Sequence, residues 1–361
     1  MNNSWKQNWP ETRQHFIDWW NHEGLLLGSW GASRSERPHE SVRDPGRAAS
    51  IKEKYTNPER RARRADYYLA RCAFYADTLP VADTHMGPGS LATFLGSEPG
   101  FTKETVWFHP CIDSDTPPER HPPLRFDVDN PWWRLTEETV KHCAALANDR
   151  YLVGFPDLVE NIDILASLRG AEPLLLDFVE RPEWVIEKVQ EINRVWFEAY
   201  SRIYDIIKSP DGSSVWGAFR VWGPGKTAKV QCDASAMFSP AMFEQFVVPA
   251  LTEQCEWLDN SMFHVDGPEC LDKVDALLSI EALDAIEWTP GPQAPQGGSP
   301  EWYPLYRRIL DAGKSVQALG VMPGEVLPLL DAAGGKGMYI LTFFTSEREA
   351  EELAKQVEPY R

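Results

Sequence analysis

From residue 78 onward, apolar and β-branched runs recur along the chain, most of them closing on a polar or turn-forming residue. They are TLPVADTH ending at His85, RYLVGFPDL at Leu158, SSVWGAFRVW at Trp222 and AKVQCD at Asp233. NSMFHVD follows at Asp266, DAIEW at Trp288, KSVQALG at Gly320 and GMYILTFF at Phe344. Between most of them the apolar period lengthens to that of a helix, clearest over 181–208 and 239–258. Ser239 and Pro240 predict an N-cap and first helical residue, and Ser346 with Glu349 predicts a capping box opening a helix over 346–357. Continuous apolar strands alternating with helices predict an α/β fold with a parallel sheet covered on both faces, and about eight such units predict a closed (β/α)8 TIM barrel. A doubly wound open sheet competes with it. HMGPGSLATFLG (85–96) lacks the G-x-G-x-x-G spacing that fold would favour, and GPGK (223–226) is too short for a P-loop, so both read as turns.

Residues 1–59 differ in texture. Trp5, Trp9, Trp19, Trp20 and Trp30 are followed by the polar, proline-containing stretch SRSERPHESVRDPGR. This predicts a helical and irregular N-terminal extension packed on a barrel formed by 60–361. The densest positive run, ERRARRADYYLAR (59–71), has the spacing of a solvated helix face.

A barrel carries its chemistry at the C-terminal ends of its strands. Asp83 and His85, Asp157 with Glu160 and Asn161, Arg220 and Trp222, Gln231 and Asp233, His264 and Asp266, and Glu287 with Trp288 all fall there. Gln231/Asp233, Arg220/Trp222 and His264/Asp266 each sit one period-2 step apart, which points both members to one side of a strand. A His-x-Asp pair so placed can chelate a divalent cation or transfer a proton near neutral pH. Asp157 and Asp163 read as caps or turn formers. Asp233, Asp266 and Glu287 are also candidates for acid/base cleavage of a glycoside, with Trp107, Trp222 and Trp288 as ring contacts.

Composition narrows the partners. A formal charge of −18 excludes nucleic acid and anionic membrane as principal partners. No basic-then-apolar leader and no apolar run near a membrane-spanning length occur, so cytoplasm is the default. The six cysteines show no C-x-x-C pair and read as reduced thiols.

Three segments resemble the uroporphyrinogen decarboxylase superfamily in order and spacing: 160–185, 233–251 and 262–288. The most specific piece is the series Asp233, Ser239, Pro240, Phe243, Phe246 and Pro249. The superfamily includes the decarboxylase of haem synthesis and zinc-dependent methyltransferases that move methyl groups between cobalamin-carrying proteins and thiols. The resemblance implies a (β/α)8 barrel and a homodimer. Where the decarboxylase has an R-Q-A-G-R motif, this chain has GSWGASRSERP with Arg34 and Arg37. Where the methyltransferases use His-x-Cys and a distant Cys for zinc, His264 matches the histidine, Asp266 replaces the first cysteine, and YILTFFTSE has none. A metal held here has harder N and O donors.

The leading expectation is therefore a methyl (one-carbon) transferase or demethylase-like enzyme acting on a small molecule. His264 and Asp266 bind a divalent metal such as zinc or handle a proton, with a corrinoid on a partner protein as methyl carrier. Asp233 and Glu287 join them as catalytic candidates, and His85, Arg220, Trp222, Gln231 and Trp288 as substrate contacts. A metal-independent lyase on a carboxylated or sugar-like substrate and a non-catalytic barrel binding a small molecule or corrinoid protein stay open.

Overall fold

The computed structural model describes residues 3–113 and 117–361. Its centre is a six-stranded, wholly parallel sheet. In spatial order the strands are Leu26–Ser29, Met338–Thr342, Ser315–Leu319, Ala285–Thr289, Asn260–Asp266 and Thr227–Gln231. Nearly every residue in them is buried, as a sheet covered on both faces requires. The predicted helix starts form: the Ser239 side chain accepts from the Met242 N–H, and that of Ser346 from the Glu349 N–H.

The expected closed eight-strand ladder is not what the backbone pairing draws. Among the described residues, Val81–Ala82 pairs with Leu152–Val153 alone, and Phe155 reaches Trp216 through one isolated parallel bridge. Between Leu26–Ser29 and the segment before Val81, side chains take over much of the ladder's work. The Leu27 N–H donates to Asp77 Oδ2 at 3.0 Å and the Ser29 N–H to Thr78 Oγ1 at 2.9 Å. Among the described residues, the Asp77 N–H to Leu27 carbonyl bond (2.8 Å) is the one backbone-to-backbone link there.

The N-terminal stretch does more than pack against this framework, because Leu26–Ser29 is itself a strand of the central sheet. The preceding helix, Trp9–Trp20, buries Phe16, Trp19 and Trp20 against Trp222 and Tyr339, with the Trp20 indole N–H on the Trp222 carbonyl at 2.9 Å. The run 213–222, read as one strand, is two. Ser214–Trp216 turns at 217–220 and returns antiparallel as Val221–Gly223. Among the described residues, no helix is long and apolar enough to cross a membrane.

A candidate metal and acid-base centre at the strand ends

Strand register brings the central groups together. Gln231 lies beside His264, His264 beside Glu287, and Glu287 beside Gln317. In-register neighbours on parallel strands present their side chains to the same side, so four polar groups form one row across four strands. His264 is nearly buried and Glu287 wholly so. The imidazole Nδ1 of His264 is hydrogen-bonded to Glu287 Oε2, and Glu287 Oε1 accepts from the Thr289 hydroxyl at 2.7 Å. That leaves Nε2 toward the open end, 3.9 Å from Asp233 Oδ1. One ligand atom from each of Asp233, His264 and Asp266 lies within 4.8 Å of the others. Glu287 stands behind the imidazole rather than in this trio.

Asp233 is fixed from below. Its Oδ2 accepts from the Gln231 amide at 2.8 Å, and Asp163 accepts from the backbone N–H of Asp233 (2.9 Å) and Ala234 (2.8 Å). Packing of its inner side and the neighbouring Asp163 carboxylate push the Asp233 carboxyl up to about 6, although His264 and Lys229 pull it down. Burial would lower the His264 pKa, but Glu287 and Asp233 outweigh burial, and the net shift is upward. The Phe219 ring lies on the imidazole with centroids 4.6 Å apart.

Beneath the row is a second polar layer. Lys229, wholly buried in the Thr227–Gln231 strand, pairs with Asp157 at 2.8 Å and donates to Gln231. Glu160 is buried too, and accepts from the Gln231 N–H. Burial pushes its carboxyl up to about 8 against the pull of Lys229. Val159 (φ 58°) and Asn161 (φ 53°) on either side are left-handed, a costly conformation for a β-branched residue. The backbone is thus bent to aim Glu160 inward. Asp157 and Asp163, expected as caps or turn formers, instead carry this support. The sequence signal for this layer is a lysine, Lys229, inside an apolar strand run.

The remaining candidates divide. His85 and Arg220 line a separate cleft beside the cluster. Trp222, expected to wall the pocket, is fully buried against Trp9 and Phe16, because its strand returns antiparallel and ends at the opposite pole from Arg220. The same-face spacing of Arg220 and Trp222 fails because Arg220 sits in the turn with φ 55°. Trp288, also fully buried, packs on Trp302; with Glu287 facing the polar row, strand alternation sends Trp288 to the helix side. Gln231 is occupied by Asp163, Asp233 and Lys229, so it orients the cluster instead of facing a ligand. Trp107 lies exposed on the Glu98–Phe101/Val106–His109 hairpin.

No protein-family profile matches the sequence, and no curated protein matches it. Among solved structures, a methyltransferase from Methanosarcina mazei matches with a TM-score of 0.60 at 10% identity, over 97% of this chain and 98% of that one. A B12-independent methionine synthase from Shewanella sp. W3-18-1, in complex with selenomethionine, matches with a TM-score of 0.46 at 10% identity, over 92% and 97%. The resemblance read from the sequence is met at the level of the fold.

Proposed function

We propose that the chain is a metal-dependent enzyme of the methyl-transfer type, with Asp233, His264 and Asp266 as the metal ligands. The observation that carries this reading is the wiring of His264: one ring nitrogen is tied to a fully buried carboxylate, and the other faces two further carboxylates. Metal-ligating histidines characteristically give their second nitrogen to such a partner, which fixes the ring and raises its basicity. The donor set of one nitrogen and two carboxylates suits zinc or another borderline divalent ion. The fold shared with the Methanosarcina mazei methyltransferase supports the reaction class.

A cation bound there supplies positive charge that favours the anionic, nucleophilic form of an acceptor. The chain's own residues do the rest. Glu287 orients His264, Gln231 and Asp163 hold Asp233, and Phe219 keeps water from one face of the imidazole. A small-molecule substrate and a corrinoid-bearing methyl carrier fit this reading. The test is consumption of methylcobalamin by the zinc-loaded protein with a panel of small thiols, followed by its absorbance. Turnover lost in His264→Ala and on chelation is expected. Thiol-dependent turnover that persists in His264→Ala would remove the site from the reaction.

A second reading has its own support. The Asp233 carboxyl is pushed up to about 6 and the His264 imidazole is shifted upward beside it, an arrangement suited to a metal-free acid/base pair for a lyase. Full turnover after exhaustive chelation would favour it.

A further inference from the structure

A second cleft, of about 1280 Å³, lies beside the cluster and is lined by the Pro58–Leu69 helix, the loop before it, the residues following Val81–Ala82, and Arg220. That is room for a ligand of ordinary metabolite size or larger. Its charge is opposite to that of the chain. Arg47, Arg60, Arg61, Arg64 and Arg220 line it, with Lys54 and Lys103, against only three carboxylates, Asp44, Asp83 and Glu104. In a protein of net charge −18, seven cations facing three anions across one cavity is a local inversion.

The run expected to be a solvated helix face accounts for much of it. Arg60, Arg61, Arg64, Ala65 and Tyr68 follow helical spacing and share the cleft side. Arg63, off that side, pairs with Glu59 at 2.6 Å. Among the described residues, Arg47, Arg60, Arg61 and Arg220 have no carboxylate within salt-bridge distance. Arg64 reaches Asp44 only at 3.9 Å, and Asp83 is turned to His85 Nε2 at 2.9 Å. Arg61 spends its guanidinium on the carbonyls of Thr84 and His85, which ties the helix to the strand end. Among the described residues, two buried nitrogens, Arg60 Nε and His85 Nδ1, have no hydrogen-bond partner. Buried donors and acceptors left unmade are costly, and convergent guanidiniums are suited to planar, multidentate recognition of carboxylate or phosphate.

We propose that this cleft binds a small-molecule polyanion, one carrying several carboxylate or phosphate groups, with Arg47, Arg60, Arg64 and Arg220 as its contacts. This goes beyond the metal reading and does not depend on it. The test is calorimetric titration of the full chain at low ionic strength with tricarballylate and, separately, inorganic pyrophosphate. Saturable binding of at least one probe is expected, weakened about tenfold or more in Arg60→Gln/Arg64→Gln and within about twofold of wild type in Arg63→Gln and His264→Ala. Binding of tricarballylate alone identifies a polycarboxylate, of pyrophosphate alone a phosphorylated ligand, and of both the shared chemistry. Arg47→Gln, in the loop outside the helix, gives the same weakening if the double variant does not fold. Failure of both probes to saturate, or equal weakening in Arg63→Gln, overturns the proposal.

Discussion

The chain has two histidine–carboxylate pairs near the sheet's open end, and they are built in opposite ways. His264 rides on a central strand, its carboxylate partner Glu287 is wholly buried, and its free nitrogen faces two more carboxylates. His85 lies just past a two-residue strand, its partner Asp83 is 62% exposed, and its other nitrogen is buried without a partner beside a group of arginines. The first arrangement concentrates negative charge around a rigid imidazole and calls for a cation. The second concentrates positive charge on a helix and loops and calls for an anion. The proposed cation site and the proposed anion cleft thus carry opposite charge.

The sharpest way to break this comparison is to remove the layer beneath the His264 row. Lys229→Ala leaves Asp157 buried without its cation, and a loss of about 3 to 5 kcal/mol in unfolding free energy is expected by denaturant titration. A loss under about 1 kcal/mol would mean that the buried pair is not what holds the row. Next in size, Glu287→Gln keeps the shape but removes the charge behind His264, and metal affinity should fall roughly 10- to 100-fold. Asp83→Asn, behind the other histidine, should leave metal affinity within about twofold. Equal effects of the two substitutions would erase the distinction between the pairs.

The smallest effect concerns pH. Glu160 titrates in the fold at about 8, above its ordinary value of 4.5. The folded state therefore holds a proton that the unfolded chain releases, so this group's contribution to stability falls as pH rises from about 4.5 to 8 and stays lost above. Glu160→Gln should remove that slope and raise stability at pH 8 relative to the wild type, with little change near pH 5. A parallel stability–pH curve in the variant would contradict the inward, protonated Glu160.

Much of the His264 site was legible because strand alternation is local. His264/Asp266 and Gln231/Asp233 come from unbroken strand ends, and their shared direction follows from spacing alone. The same rule, applied to Glu287 and Trp288, already separates them, since adjacent residues cannot face the same side. The error at Trp222 has another origin: GAFR (217–220) carries no strong hairpin signal, and the chain reverses there through a left-handed Arg220. The parallel α/β sheet follows from the apolar runs, whereas closure into eight strands is not drawn by the backbone pairing, because two-residue strands such as Val81–Ala82 satisfy the apolar pattern without forming a full ladder. The arginine cleft was hidden for a different reason. Its helical spacing is visible in 59–71, but a charged helix side reads the same whether it meets water or a cavity, and only the tertiary placement of His85 and Arg220 opposite it decides.

The central claim is that Asp233, His264 and Asp266 hold one divalent ion. Its most direct test is metal quantification by mass spectrometry on protein grown with supplemented metal and desalted, comparing wild type with His264→Ala. The account predicts close to one equivalent of a divalent transition metal in the wild type and about a tenth of that or less in the variant. Wild-type protein with no more than about a tenth of an equivalent, or equal occupancy in both, would contradict it.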